Sequence, residues 1–511
     1  MAISTAVGAD RISRVVGYKL RKGFAPILGV NLPQRIAILT PANSDKQTGL
    51  PTKQEVTSAS EAANLLGYGS PGHMIMRILR PLTGDGVGGI PTVLFPQTDP
   101  VGVAAIKELT VTTAGVTANA THRVIVNGRD NVDGQFYSIS VVTTDTQATI
   151  ATKIATAINS VLSAPCTAAV DGVNDNQVNI TSKFIGVISD DLTIEVVNDG
   201  SPVGVTYAVT VGAAGTGNHD ISGALAAFGS EWNTIVINPY GTSTFETLET
   251  FNGIPDPINP TGLYSGVTFR PFFALWGSNE SSRTSLLTIT DAEARKSQVT
   301  NVLCPAPNSD GWPFEAAANA AFLLANTHQN NPHLDVASQS YPDMPVPADG
   351  NIGDMANYND RDVLVKGGSS TVDLVAGRYQ IQDFVTTYHP DGELPPQFRF
   401  VRSLNQDFQV KYGYTLLEND NVRDKAIAGN EQTVTVSDVI KPKIWAQILR
   451  TYADNLSERA LITDPDFMKE SIEIGTGESN PDRLETFFRY KRSPFMRIGS
   501  TDAEARFTFN L

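Results

Sequence analysis

The residues able to carry chemistry in this sequence are few, and their spacing is against them. Gly84, Gly86 and Gly89 satisfy the G-x-G-x-x-G pattern of a dinucleotide-binding turn. That turn works only when it follows a strand and opens a helix, so that phosphates meet a helix N-terminus. Here a predicted helix at 71–79 precedes the glycines and a predicted strand at 92–95 follows them. The order is reversed, and the pattern reads as a tight loop. His328 and His333 stand five residues apart with Pro332 between them, the wrong spacing for one helical face. His73, His122, His219 and His389 are scattered. Asp190-Asp191 and the pair Asp464/Asp466 fall in predicted turns without EF-hand spacing. Cys166 and Cys304 are too far apart in sequence for a metal motif or a disulfide framework. Neither a G-x-x-x-x-G-K-[ST] phosphate loop nor a G-x-S-x-G nucleophile elbow occurs. The expectation is a chain with no catalytic, cofactor-binding or metal-binding residues, which is not an enzyme.

The elements that would have had to position such residues are legible. Arg35–Leu39 reads as a buried strand, and 58–66 as a helix with Ser58 as cap and Glu61 three residues on. Across 101–217 the composition changes to threonine, valine, glycine and asparagine, with only Lys107, Arg123, Arg129, Lys153 and Lys183 as lysines and arginines. Strand-like alternation appears at 123–126, 135–142, 177–180, 192–197 and 206–211, around one amphipathic helix at 146–161. Buried strands are expected again at 234–237, 269–276 and 299–304, with an alanine-rich helix at 314–326. Helices follow at 399–417 and at 439–461. In the latter, Ile440, Ile444, Trp445, Ile448, Leu449, Tyr452 and Leu456 form one stripe, with Ser437 or Asp438 as cap. Strands are expected at 471–474 and 483–491.

The predicted fold class is therefore α+β and multidomain. It comprises an N-terminal arm (1–25), an α/β core in two parts (26–100 and 218–375) interrupted by a β-rich outer insert (101–217), a C-terminal α/β closing domain (376–498) and a C-terminal arm strand (499–511). A length of 511 residues accommodates that many bodies.

Charge narrows the partners. The net charge of −15 should repel a nucleic-acid backbone. No stretch reaches the roughly 18 apolar residues of a membrane span, and the opening residues lack the pattern of a secretion signal. Synthesis and retention in a reducing cytoplasm is the expectation. The sequence from 1 to 22 is the exception to the acidity, with Arg11, Arg14, Lys19, Arg21 and Lys22 against Asp10 alone.

Both ends read as strands. Val16, Tyr18 and Leu20 alternate with Gly17, Lys19 and Arg21. Ala503, Ala505, Phe507, Phe509 and Leu511 alternate with Glu504, Arg506, Thr508 and Asn510. Such a strand either pairs within its own subunit or completes a neighbour's sheet.

Several segments carry a resemblance. Pro33–Leu39, Thr57–Ala63, Gly67–His73, Gly84–Pro91 and Pro96-Gln97, in that order, resemble the opening of contractile phage tail sheath proteins of the Mu-like kind. The helix near 439–461 and the ending Phe507-Thr508-Phe509 resemble the close of the same family. The resemblance is weakest across 101–217. It implies a virion structural protein, assembled in the host bacterial cytoplasm as stacked hexameric rings around a tail tube protein, and meeting baseplate and tail terminator proteins. Contraction would then drive the tube through a bacterial envelope. It also implies that terminal arms are exchanged between neighbours and that a helix of the closing domain faces the tube. On that basis Lys441, Lys443, Arg450 and Arg459 are nominated as tube contacts. The alternatives are another self-assembling tail or baseplate component, or an α/β enzyme with a β-rich insert.

Overall fold

The computed structural model describes residues 30–84, 86–198, 200, 203–394, 396–477 and 479–503. The chain is mixed α/β and its described residues form two compact units, 33–406 and, from both ends of the sequence, 30–32 with 407–503.

The larger unit is built on a six-stranded sheet in the order Asn301–Pro305, Phe273–Ser278, Ile235–Ile237, Ile36–Pro41, Thr92–Gln97, Gln54–Val56. The first five strands are parallel and the last is antiparallel. The central strands are buried along their whole length, which is why they read as continuous apolar runs. Helices cover the sheet. Ala59–Leu66 is capped by Ser58, whose hydroxyl accepts from Glu61 N at 3.2 Å. The Glu61 carboxylate reaches past Ser58 to Thr57 N at 2.6 Å, so the capping box closes one residue wider than its usual form. The alanine-rich helix Pro313–Asn330 starts on a proline and lies against Phe273–Ser278. Its close approach requires Gly277, because a Cβ there would overlap the Pro313 carbonyl.

The insert leaves the sheet after Thr92–Gln97 and returns before Ile235–Ile237. It contains a four-stranded antiparallel sheet ordered Val205–Ala213, Ile106–Thr113, Gln177–Ser182, Cys166–Val170, and a three-stranded one ordered Ile194–Asn198, Ala120–Val126, Ser138–Val141. The helix Gln147–Ser160 buries Ile150, Ile154, Ala157 and Ile158 beneath them, and Thr146 caps it. Three strands were not anticipated, Ile106–Thr113, Asn131–Val132 and Cys166–Val170. The insert is fixed to the core. Arg129 reaches Asp343 at 2.8 Å and Glu315 at 3.3 Å, and Arg77 pairs with Asp133 at 3.0 Å. The larger unit also takes in the hairpin Thr371–Val375/Arg378–Asp383 and the chain that follows it to 406, through bridges Val302–Thr386 and Val385–Phe400.

The smaller unit packs around Trp445, Leu449, Tyr452, Ala453 and Leu456 of the helix Pro442–Glu458, with Val410, Leu417, Leu461, Ile462 and Met468. This helix starts later than expected. Val439–Ile440 is a strand, and Lys441 rather than Ser437 or Asp438 is the N-cap. Pro442 explains the shift. It lacks an N–H and disfavours helical geometry in the residue before it, so it begins helices rather than continuing them. The strand expected over 483–491 is broken into Leu484–Phe487 and Lys491–Arg492. Asp407 anchors that stretch, accepting from Tyr490 Oη at 2.8 Å and from Arg492 Nη2 at 2.6 Å.

The expected arm residues Val16, Tyr18, Lys19, Leu20 and Arg21 lie outside the described residues, as do Ala505, Arg506, Phe507, Phe509 and Leu511. Ala503 is described; it is exposed and without regular secondary structure.

Candidate functional site

In an open α/β sheet, ligands bind at the carboxyl ends of the strands where the connections diverge to left and right. Here that place lies between Ile36–Pro41 and Ile235–Ile237. Protein atoms fill it. Tyr240 is buried there and its hydroxyl bonds to Gln97 Oε1. The His219 ring stacks on Tyr240 with centroids 4.7 Å apart. Loops of the insert close the rest: Ser44 N donates to Lys183 O at 2.9 Å, and Lys183 Nζ reaches Tyr68 O at 3.4 Å. Gly69, at φ +82°, lies so close to the Ala164 carbonyl that no side chain fits between them.

The glycine pattern sits at the opposite end of the sheet. It follows the helix Pro71–Leu79 and leads into the strand Thr92–Gln97. The Arg80 guanidinium is folded into it, donating to Gly88 O at 2.8 Å and Ile90 O at 2.7 Å. A cation spent on the loop's own carbonyls is the chemistry of a braced turn. Beside it a cavity of about 490 Å³ is lined by Gln34, Gly86, Gly88, Gly89, Asn326 and Gln329.

The histidines do not converge. His73 accepts from Gly69 N at 3.1 Å at the start of its helix. His122 bonds to the Tyr207 hydroxyl. His389 lies 2.8 Å from Asp291 Oδ1. His328 is buried in the helix Pro313–Asn330, while His333 lies in the loop beyond it. Burial lowers His73 and His219 to about 4 and His328 to about 3. Burial also pushes the Cys166 thiol up to about 12. The Asp464 carboxylate caps the helix Pro465–Glu470 and pairs with Lys491, and Asp466 pairs with Lys469 at 3.1 Å. Asp190 and Asp191 end a short 3-10 turn. Among the described residues, no group of three acidic, histidine or cysteine side chains is arranged to hold a metal. Nor is any described helix long and apolar enough to cross a membrane.

A pH prediction follows from the buried imidazoles. A histidine whose pKa falls on folding contributes stability that is present above 6.5 and is lost as pH falls through 6.5 towards 4. For His219, about 2 kcal/mol should disappear between pH 7 and pH 5. His219→Phe keeps a ring on Tyr240 and removes the titration. Urea unfolding at the two pH values should show a correspondingly smaller acid loss in the variant; an unchanged loss would show that this ring does not titrate as described.

A further concavity lies on the smaller unit. A groove of about 640 Å³ runs along the helix Pro442–Glu458, floored by Val439, Ile440, Ile444 and Ile448 and edged by Asp420, Lys425, Lys443 and Gln447. Ile444 is 46% exposed, although it belongs to the stripe expected to be core. That stripe is in fact two. Trp445, Leu449, Tyr452 and Leu456 face inward, Ile444, one residue back round the helix, faces the groove, and the half-buried Ile448 borders both the core and the groove. The signal was available in the stripe's width, since seven apolar positions span more arc than one core face needs. Beside the groove, Val439–Ile440 pairs in parallel with Ala426–Ile427 through Ala426 N→Asp438 O at 3.0 Å and Ala428 N→Ile440 O at 2.9 Å.

The four nominated cations are not alike. Lys441 caps the helix and its Nζ is bound to Gln432 O. Lys443 is exposed, 3.4 Å from Glu431. Arg450 is exposed, seven residues on, hence on the same face. Arg459 is half-buried and donates to Asn31 Oδ1.

No protein-family model and no curated protein matches the sequence. Among solved structures, a sheath tail protein from Desulfitobacterium hafniense aligns over 94% of this chain and 99% of its own, at 12% identity and a TM-score of 0.43. A likeness at that level carries no argument about fold or function.

Proposed function

We propose that this chain is a structural, non-enzymatic subunit of a contractile tail sheath, polymerising as stacked hexameric rings around a tail tube. The observation that carries the reading is the unfinished sheet on the smaller unit. Two strands of two residues each are far below what holds a sheet together in water, and an apolar groove lies open beside them. An extended segment with an apolar residue at every second position would complete the sheet and cover Ile444 and Ile448. Residues 503–511 have that pattern, and an adjacent copy would supply them. Each backbone bond so formed adds about 1 kcal/mol net, and burying Phe507 and Phe509 adds roughly 2 kcal/mol each. The basic leader, through Val16 to Arg21, would dock on the acidic body of a neighbour. Lys443 and Arg450 are the cations best placed to face a tube. Contraction then needs a free-energy difference between two packings of the same subunits, summed over many copies. Nothing in that scheme requires hydrolysis or a cofactor.

Electron microscopy of the purified chain tests it. Hollow cylinders or contracted polymers are expected from the full sequence, and discrete particles from a chain ending at 502. Ile444→Lys in the full chain should also stop polymerisation while leaving the far-ultraviolet circular dichroism unchanged. Cylinders from the shortened chain would overturn the strand exchange. Discrete particles from the full chain, under conditions up to high salt and concentration, would overturn the assembly itself.

A further inference from the structure

Sheets end in edges, and exposed edges recruit other strands unless something blocks them. The insert blocks its edges unequally. On Cys166–Val170 the Asn159 side chain acts as a substitute strand, donating to Ala168 O at 2.7 Å and accepting from Ala168 N at 2.9 Å. On Ser138–Val141, Lys153 Nζ donates to Ser140 O at 2.8 Å and sets a cation there. Ile194–Asn198 carries the charge of Glu195. The strand Val205–Ala213 has none of these devices. It pairs only with Ile106–Thr113, and it contains no charged residue and no proline. Among the described residues, no side chain bonds to its outer backbone.

The direction of that backbone is fixed by the neighbouring strand. Val111 turns both its polar groups away from this edge, donating from N to Asn176 O at 2.9 Å and accepting from Asn176 Nδ2 at 3.0 Å. Tyr207 is paired opposite Val111, so its own N–H and C=O point out to the free edge. By alternation so do those of Val205, Val209 and Val211. The register is regular until the irregularity between Val211 and Ala213. The regular segment reads Val-Thr-Tyr-Ala-Val-Thr-Val, which is nearly the same in both directions about Ala208. Laid antiparallel on a second copy, Val205 meets Val211, Thr206 meets Thr210, Tyr207 meets Val209, and Ala208 meets itself. Apolar partners share one face and small polar ones the other. Val209 and Val211, 38% and 62% exposed, would be covered.

We propose that two copies of this chain pair through Val205–Val211, antiparallel about a two-fold axis at Ala208, joining two four-stranded sheets into one of eight. The strip's self-complementary sequence about Ala208 favours a second copy as occupant. The chain carries −15 overall, so most faces of two copies repel, and this uncharged strip is where they can approach. The strip is about 25 Å long, and the pair would cover on the order of 1,000 Å², the low end for specific association. Weak, reversible dimers are therefore expected. A two-fold pair relates chains of opposite direction, so it cannot join neighbours in one polar stack; it stands apart from the sheath reading and does not rest on it.

Disulfide trapping tests the register. Ala208 faces its own copy at a non-hydrogen-bonded position, where Cα atoms approach to about 4.5 Å, within disulfide range. Ala208→Cys should give, under mild oxidation, a band at twice 54.7 kDa on non-reducing gels. Thr206→Cys should not, because its partner is Thr210; the double variant Thr206→Cys/Thr210→Cys should. Cys166 and Cys304 are buried and leave the background low. In the chain ending at 502 the Ala208→Cys band should persist, which separates this pairing from arm exchange. Sedimentation of that shorter chain should show concentration-dependent dimers, abolished by Val209→Lys. Equal trapping of the two single variants, or no trapping by Ala208→Cys with its circular dichroism unchanged, would overturn the proposal.

Discussion

Replacing Gly277 by alanine is expected to destabilise the larger unit by on the order of 4 kcal/mol, in the range reached only by gross packing faults. Gly277 lies in the strand Phe273–Ser278, where the first residue of the helix Pro313–Asn330 rests on its backbone. An added Cβ would stand closer to the Pro313 carbonyl than the 3.0 Å that real Cβ contacts respect. The obstacle is main chain rather than a side chain able to swing aside, so the helix must lift off the sheet. That helix buries Phe314, Leu324 and a row of alanines against the core, and lifting it exposes all of them. Gly89→Ala is the informative contrast. No atom lies within 4 Å of its added methyl, and stability should change by no more than about 0.5 kcal/mol. Urea unfolding of both variants decides the matter. A large loss at Gly89 instead would mean that the glycine loop is packed against something not yet accounted for.

Arg129→Ala carries the second large effect, about 3–5 kcal/mol. The guanidinium sits between the insert and the core, joined to Asp343 and to Glu315, which is 2% exposed. Burial pushes the Glu315 carboxyl up, and Arg129 is the charge that opposes it. Without Arg129 an uncompensated carboxylate remains in a dry site, a worse state than having neither partner. The double change Arg129→Met/Glu315→Leu should therefore recover much of the loss. Urea denaturation of the single and double variants reads out the difference. A single variant as stable as the parent would show that Glu315 finds water or another partner.

Where local chemistry and burial agree, this sequence is easily read. The buried strands Ile36–Pro41, Thr92–Gln97 and Ile235–Ile237 are continuous apolar runs, and the helix Gln147–Ser160 has both its stripe and its threonine cap. Legibility fails where tertiary partners set the outcome. Ile106–Thr113 contains adjacent Lys107 and Glu108, which hide its alternation; it is a strand because it lies between Val205–Ala213 and Gln177–Ser182. Trp445 and Ile444 are neighbours in one apolar stripe, and only the packing of the smaller unit shows that one is core and the other borders a groove. Likewise, the histidines looked uncommitted in sequence, and it took the fold to show His219 stacked on Tyr240 and His328 within a helix. The reversed order around Gly84, Gly86 and Gly89 was enough to set aside a dinucleotide turn, and Arg80 supplies the reason the loop holds its shape.

Inserted domains are commonly treated as cassettes, removable at their two junctions. The closed crevice argues against doing so here. Lys183 and the chain around Ala164 close over Ser44, Tyr68 and Gly69 at the carboxyl end of the parallel strands, so cutting out 101–217 would uncork the core there. A graft onto this chain is better placed at the turn around Val173, which is 91% exposed.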